Sequence, residues 1–242
     1  RLLKITFNNA RTLEDISEKI TANIGLSKEN FLARLSNPEI QSKYGFNSHT
    51  IRSLFIPNTY NVYWDITSDE LIARMAKEYK AFWTPERIAK SKVIGLSQSE
   101  VSTLASIVYT ETNMADDAVI IAGVYMNRIK RGIPLQADPT LKFAAYKLPQ
   151  YKNTIIKRVL DVHKDIKSPY NTYKNLGLPP GLIAMPDISA IDAVLNYEKH
   201  KYLYFCADAK RLGYHKFAKS LSQHNVNARE YHRYLSSQGI NK

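Results

Sequence analysis

The segment SQSEVSTLASIVYTET, residues 97–112, predicts a helix with a glutamate on its apolar face. Ser97 followed three residues later by Glu100 is the capping-box pattern of a helix start. An apolar stripe then follows at spacings of three and four residues, formed by Val101, Leu104 and Val108. Glu111 continues the same face near the end of the helix. We therefore expect its carboxyl to be buried beside the negative end of the helix dipole, and both effects raise its pKa.

Further helix and strand patterns lie on both sides of this segment. Helices are predicted over 12–20, 28–35, 68–83, 115–131, 188–196 and 221–235, and strands over 2–7, 55–63, 201–207 and 215–217. The strand over 201–207 is apolar enough to be fully buried. Three segments that each contain proline, 135–140, 168–173 and 177–183, are predicted to be irregular. The sequence thus predicts an α+β fold, with a small strand–helix–helix module in residues 1–50 and a mixed α/β domain in residues 51–242.

The composition is that of a globular protein with a basic excess. The 242 residues include 34 Lys and Arg against 22 Asp and Glu, a net charge of +12, and 44% are hydrophobic. This balance excludes disordered, collagen-like and coiled-coil proteins. Residues 128–174 carry eleven basic and three acidic side chains, which indicates either an anionic partner or a solvated basic face. Since zinc-finger and RNA-binding motifs are absent, nucleic acid is not a predicted partner.

Several kinds of catalytic site are excluded by missing motifs. No HExxH pair, G-x-S-x-G turn or glycine-rich phosphate loop occurs, so neither a metal nor a cofactor is predicted. The single cysteine, Cys206, lies in an apolar strand and is expected to be inert core. No apolar run reaches the ~20 residues that span a bilayer. Because the chain begins at Arg1 within a strand pattern and without an initiating Met, we expect it to be an excised soluble part of a longer protein.

What remains is a helix-borne glutamate followed by polar, aromatic loops. Ordinary glycosidases use two carboxylates, and Asp138 is the candidate for the second, although an Asp-Pro pair also marks a simple turn. A reaction that needs one acid fits Glu111 better. Lytic cleavage of a muramic-acid sugar is such a reaction, because the sugar's own 6-hydroxyl closes on C1 in place of water.

The residues match a known family in an ordered series of motifs. They are ASIVYTET (105–112), AGVYMNR (122–128), LQADPT (135–140), SPYNTY (168–173), GLPPG (177–181), YLYF (202–205), HKF (215–217) and HN (224–225). Together they resemble the YceG-like endolytic murein transglycosylases over about residues 55–234. The order of the motifs is specific, whereas any one of them alone is not.

The resemblance implies a bacterial enzyme that cuts peptidoglycan glycan strands internally and leaves 1,6-anhydromuramoyl ends. Glu111 would act as general acid and then as base. Under this hypothesis we further predict cleft residues that orient the sugars: Asn127, Gln136, Asp138, Thr140, Tyr170, Asn171, Tyr173 and His215. Residues 1–50 would be part of a LysM-like module, preceded by a single membrane helix that holds the catalytic domain outside the cytoplasmic membrane. Glycan strands and cell-wall synthases are the implied partners.

Three acids common in the family are replaced here, by Tyr109, Arg52 and Asn58, and Ala137 stands where the family often has threonine. These departures leave open a second hypothesis, a peptidoglycan-binding scaffold of the wall-synthesis machinery with weak or no catalysis. A pyridoxal-phosphate lyase, a label also given to this family, would need a phosphate cup that the sequence lacks.

Overall fold

The computed structural model describes residues 1–8, 10–151, 154–156 and 159–239. Within them, eleven α-helices and four strands follow one another along the chain: β1 (Leu2–Thr6), α1 (Leu13–Thr21), α2 (Lys28–Ser36), α3 (Pro38–Lys43), β2 (Thr59–Tyr63), α4 (Ser68–Phe82), α5 (Pro85–Ile94), α6 (Gln98–Glu111), α7 (Ala115–Lys130), α8 (Asp138–Tyr146), α9 (Asp161–Lys164), α10 (Ile188–Leu195), β3 (Tyr204–Ala207), β4 (His215–Ala218) and α11 (Leu221–Ser237). Short 3-10 helices cover Ile51–Leu54 and Pro149–Tyr151. The α+β class predicted from the sequence is confirmed.

The chain divides into two compact units. The first comprises residues 1–107 with 179–191, and the second comprises residues 108–178 with those from 192 onward. The backbone N–H of Met185 donates to the carbonyl of Ala10 at 2.8 Å, which joins the returning segment to the start of the first unit.

The first unit is built on an antiparallel pair of strands and the helices that cover it. Strands β1 and β2 pair with Leu2 opposite Tyr63 and Thr6 opposite Thr59. Helices α1 and α4 both begin with a capping box, which satisfies N–H groups that a helix start otherwise leaves unpaired. Their apolar faces join α2 and an aromatic cluster in one core that includes Phe7, Ile16, Ile20, Phe31, Leu35, Phe55, Tyr60, Leu71, Ile72 and Met75.

The second unit centres on α7, whose buried face includes Ile121, Ala122 and Tyr125. Gly123 is required on this helix, since a Cβ there would overlap the carbonyl oxygen of Glu198 and lie 2.5 Å from Nε2 of His200. Strands β3 and β4 form a second antiparallel pair, with Tyr204 opposite Ala218. Helix α11 packs against both strands.

Most of the predicted helices are confirmed within one or two residues, including α6, where Ser97 and Glu100 form the expected reciprocal cap. Four helices were missed, α3, α5, α8 and α9, and the first two of these begin at a proline. A capping side chain precedes each of these two, Asn37 before α3 and Thr84 before α5. Proline fits the first turn of a helix, so Pro38 and Pro85 mark the starts of new helices and not only the ends of the preceding ones.

Three other predictions were wrong in detail. The strand predicted over 55–63 begins only at Thr59, beyond Pro57, which lacks the N–H that a strand ladder uses. The segment 135–140 is not wholly irregular, because Asp138 begins α8. The strand predicted over 201–207 begins at Tyr204 and is half-buried rather than buried, so Cys206 is not core; burial nonetheless raises the pKa of its thiol.

No helix among the described residues is both long and apolar enough to cross a membrane.

Candidate active site

A cavity of about 340 Å³ opens within the second unit. Its volume falls in the range of small-molecule sites. It is lined by side chains from α6, α7, the start of α8, β3, α11 and two loops: Glu111, Tyr125, Arg128, Leu135, Gln136, Asp138, Tyr173, Tyr204, Phe205 and His224.

Glu111 is the last residue of α6, and the helix positions it because Val101, Leu104 and Val108 are fully buried on the same face. Burial raises the pKa of its carboxyl to about 7, and the charge of Asp138 acts in the same direction. A hydrogen bond from Tyr125 and the charge of Lys142 oppose this shift. The raised pKa expected from the sequence is therefore found, with burial as its main cause.

Tyr125 fixes one oxygen of this carboxyl. Its hydroxyl donates to Oε1 of Glu111 at 2.7 Å. Burial, together with the charge of Glu111, raises the pKa of the phenol well above its ordinary value, so it stays protonated and remains a donor. The ring makes an edge contact with Phe205, with centroids 5.8 Å apart. Oε2 of Glu111 is thus the oxygen left for other partners.

A second tyrosine–carboxyl pair lies on the same cavity. The hydroxyl of Tyr173 donates to Oδ1 of Asp138 at 2.6 Å. Asp138 is exposed and lies in the first turn of α8. Burial and the neighbouring carboxylate raise the pKa of Tyr173, which keeps this phenol protonated as well.

Arg128 joins three parts of the cavity wall. Its Nε donates to the carbonyl of Pro134 at 2.9 Å, its Nη1 to that of Leu203 at 2.9 Å, and its Nη2 to Oε1 of Gln136 at 2.6 Å. Because it lies at the end of α7 and is 6% exposed, the guanidinium acts as an internal brace. A fork of donors in one plane suits this role.

His224 and Tyr204 form an aromatic part of the wall. Their rings stack with centroids 5.5 Å apart at an interplanar angle of 28°. Burial lowers the pKa of His224, and the charge of Arg128 lowers it further, so the imidazole is neutral at pH 7. Neutral aromatic faces of this kind suit the apolar faces of a sugar ring.

Four of the residues predicted from the sequence line the cavity together, namely Glu111, Gln136, Asp138 and Tyr173. Two others are fully buried behind its wall. Thr140 bonds the carbonyl of Ala137 at 2.7 Å, and Asn171 donates to the carbonyls of Lys164 and Ile166 at 2.9 Å each. Oδ1 of Asn171 also accepts from the backbone N–H of Tyr173 at 3.0 Å.

The remaining three predicted residues contact other parts of the second unit and do not line the cavity. Asn127 donates to the carbonyls of His200 and Tyr202. Tyr170 packs against Phe143. The backbone N–H and Nδ1 of His215 both lie 2.8 Å from Oδ2 of Asp117, a buried carboxylate.

Several cavity residues were not singled out as site residues from the sequence, although they fall in the quoted motifs: Tyr125, Tyr204, Phe205 and His224. Their aromatic character is equally typical of core. Tyr125 reaches the cavity from α7, and the packing of β3 against α7 and α11 brings the other three residues to it.

Two of the three replaced family acids have structural roles in the first unit. The guanidinium of Arg52 is 6% exposed and donates to the carbonyls of Arg11 and Leu182. Oδ1 of Asn58 accepts from the backbone N–H of Thr59 at 2.7 Å. Neither residue lines the cavity. In this chain, an acid at position 52 could not make the contacts that Arg52 makes.

The basic stretch 128–174 is not a uniform charged face. Three of its basic residues, Lys152, Lys157 and Arg158, lie outside the described residues. Lys164 and Lys174 each pair at 2.8 Å with an aspartate of the same stretch, Asp161 and Asp165. No group of three or more metal-ligating side chains occurs in the part of the chain that the structure describes.

Comparison with known proteins gives a consistent set of relatives. Residues 1–230 match the model of the YceG-like family. A protein named endolytic murein transglycosylase from Bacillus subtilis is 33% identical over 245 residues, an alignment that covers 94% of this chain and 65% of the relative. A protein of the same name from Streptococcus pneumoniae strain D39 is 33% identical over 187 residues, which cover 76% of this chain and 32% of that protein. The chain therefore spans less than two thirds of these relatives.

The fold also matches a solved structure. The crystal structure of a YceG-like protein from Listeria monocytogenes superposes with a TM-score of 0.74 at 28% identity, covering 92% of this chain and 75% of that one.

Proposed function

The chain belongs to the YceG-like family, and from that premise we propose that it cleaves the glycan strands of peptidoglycan by an internal lytic reaction. The bond cut is the glycosidic bond from an N-acetylmuramoyl to an N-acetylglucosaminyl residue. The new muramoyl end is a 1,6-anhydro ring. The two relatives from Bacillus subtilis and Streptococcus pneumoniae, both named endolytic murein transglycosylase, support this reaction class.

The observation that carries the proposal is the buried position of the Glu111 carboxyl on the cavity, which raises its pKa. A carboxyl with a pKa of about 7 is protonated and ionised in comparable amounts at neutral pH. A group with such a pKa can give up a proton in one step and accept one in the next. An ordinary glutamate would be almost entirely ionised at neutral pH and would be a poor acid.

The proposed chemistry uses this one carboxyl twice. Glu111 transfers the proton on Oε2 to the glycosidic oxygen, and the bond from that oxygen to C1 breaks. The resulting carboxylate takes the proton of the muramoyl 6-hydroxyl, whose oxygen forms the new bond to C1. Glu111 is protonated again at the end, and no water is consumed.

Tyr125 and Asp138 assist this cycle in the proposal. The phenol of Tyr125 holds Oε1, which directs Oε2 to the sugar. The carboxylate of Asp138 lines the same cavity and places a negative charge near the positive charge that develops at C1. Its exposure also allows the alternative in which it activates water and yields hydrated ends.

The test is digestion of purified peptidoglycan by the wild type and by Glu111→Gln, with the products identified by mass spectrometry. The amide keeps the shape of the side chain and removes the proton that titrates. We expect anhydro-muropeptides from the wild type and a loss of at least about 100-fold in the variant. Glu198→Gln, an exposed site in the same unit, is the matched control. Undiminished product from Glu111→Gln would refute the role of Glu111, and hydrated ends would refute the lytic reaction.

The replaced acids favour a second candidate function. In the motif at 105–112 the family commonly has two acids. This chain has Tyr109 in place of the first and keeps only the second, Glu111. A glycan-binding scaffold for wall-synthesis enzymes would explain the loss. Retention of the protein on insoluble peptidoglycan, with no new anhydro or reducing ends, would favour it.

We also propose a cell-wall location, on the outer side of the cytoplasmic membrane, with an N-terminal anchor and a LysM-like module. In this proposal residues 1–50 are part of the LysM-like module, and the catalytic domain follows from residue 51. Glycan strands and cell-wall synthases are the proposed partners.

A further inference from the structure

Gln136 has a backbone conformation that needs support. Its φ of 52° lies in the left-handed region, and it is the one residue other than glycine with a positive φ among those the structure describes. Its backbone N–H donates to the carbonyl of Thr172 at 3.1 Å. Such a conformation costs free energy and persists where the surroundings impose it, often at functional sites.

The orientation of the Gln136 amide is set by its partner. Arg128 has donors and no acceptor, so the atom that its Nη2 approaches at 2.6 Å must be the amide oxygen. Arg128 is itself held by two backbone carbonyls at 2.9 Å each. The amide therefore cannot flip without losing this bond, and its –NH₂ group points away from Arg128.

That –NH₂ group is available to a ligand. Gln136 is exposed and lines the cavity that contains Glu111. Within the described part of the chain, no protein acceptor binds its Nε2. The cavity lined by Glu111 thus also presents a neutral, pre-oriented donor of two hydrogen bonds.

We infer that Gln136 recognises the 2-acetamido group of the bound sugar by donating a hydrogen bond from Nε2 to the acetamido carbonyl oxygen. This inference rests on the proposed function and names the group that makes the site specific for N-acetylated sugars. The acetamido carbonyl oxygen is an acceptor and lies further from the sugar ring than a 2-hydroxyl oxygen, so a fixed –NH₂ donor placed to reach it would be left unpaired by the hydroxyl. Sites built to bond one substrate group reject analogues that lack it, because the site's own polar group is left unpaired.

The experiment compares two neutral oligosaccharides that differ only at C2. Chitotetraose carries a 2-acetamido group on each sugar, and cellotetraose carries a 2-hydroxyl. Binding is measured by NMR titration in the Glu111→Gln background, where no turnover occurs. Gln136→Glu is then added, because the carboxylate keeps the Arg128 bond and removes the donor. Gln136→Met tests the same loss without a new charge. Gln150→Glu and Gln150→Met, at an exposed position on a 3-10 helix, are the matched controls.

We expect the Glu111→Gln protein to bind chitotetraose at least about tenfold more tightly than cellotetraose. Both Gln136 variants should reduce this ratio to within about twofold by weakening chitotetraose, and the Gln150 variants should leave it unchanged. A ratio that survives both Gln136 substitutions overturns the inference, as does failure of the parent protein to prefer chitotetraose or to bind it. Cleavage by the wild type is scored separately, so loss of the lytic activity would refute the proposed function without deciding the role of Gln136.

Discussion

Replacing Tyr125 by phenylalanine tests how the structure sets the acidity of Glu111. The substitution removes the hydroxyl that donates to Oε1 at 2.7 Å and keeps the ring that packs edge-on against Phe205. A donor bonded to a carboxylate stabilises its ionised form, so this bond lowers the pKa of Glu111. In the variant this hydrogen bond no longer opposes the effect of burial, so the pKa of Glu111 rises further.

The size of the shift follows from the strength of the bond. Hydrogen bonds to charged groups contribute about 1.5–3 kcal/mol. One pKa unit corresponds to about 1.36 kcal/mol, so the loss raises the pKa of Glu111 by about one to two units above its value of about 7. Activity that needs protonated Glu111 then extends to higher pH in the variant. The maximal rate falls about tenfold, because the carboxyl is no longer held in one orientation.

The assay is the pH dependence of kcat/KM on a soluble glycan, followed by release of anhydro-muropeptides. The alkaline limb of the wild type should fall near pH 7, and that of Tyr125→Phe about one to two units higher. Tyr197→Phe, which loses a hydroxyl bonded to Lys130, is the control and should keep the wild-type limb. An unmoved limb in Tyr125→Phe, or one that moves to lower pH, would refute this account of how the acid is tuned.

Three further predictions concern stability, measured by urea unfolding. Folding raises the pKa of the Glu111 carboxyl from 4.5 to about 7, so its contribution to stability is complete below about pH 4.5 and is lost as the pH rises through about 7. The free energy of unfolding of Glu111→Gln should therefore exceed that of the wild type by about 3 kcal/mol at pH 8 and equal it at pH 4. Gly123→Ala should cost about 1–3 kcal/mol through overlap with the Glu198 carbonyl, and a smaller loss would show that the backbone there gives way. Arg128→Lys should cost about 2–3 kcal/mol, since one ammonium cannot reach Pro134, Leu203 and Gln136 together, and wild-type stability would contradict the bracing role.

Local patterns in the sequence were sufficient to predict the central helix and the environment of Glu111. The Ser97–Glu100 cap and the apolar stripe are properties of neighbouring residues, and a helix converts their spacing directly into a shared face. The direction of the Glu111 pKa shift followed from that face alone. The helix that starts at Asp138 was missed because Asp-Pro is equally typical of a turn and of a helix start.

The amino-acid sequence by itself determined the helix caps, the position of Glu111 at the end of α6 and, through an ordered set of motifs, the family. Only the tertiary structure decided which groups surround that carboxyl. Tyr125, Gln136 and His224 reach one cavity from segments far apart in the chain. Their meeting depends on how α7, the loop before α8 and α11 pack, and such long-range packing leaves no periodic signal in the sequence. The fixed orientation of the Gln136 amide likewise requires Arg128, eight residues away, to be held by the carbonyl of Leu203 from another part of the chain.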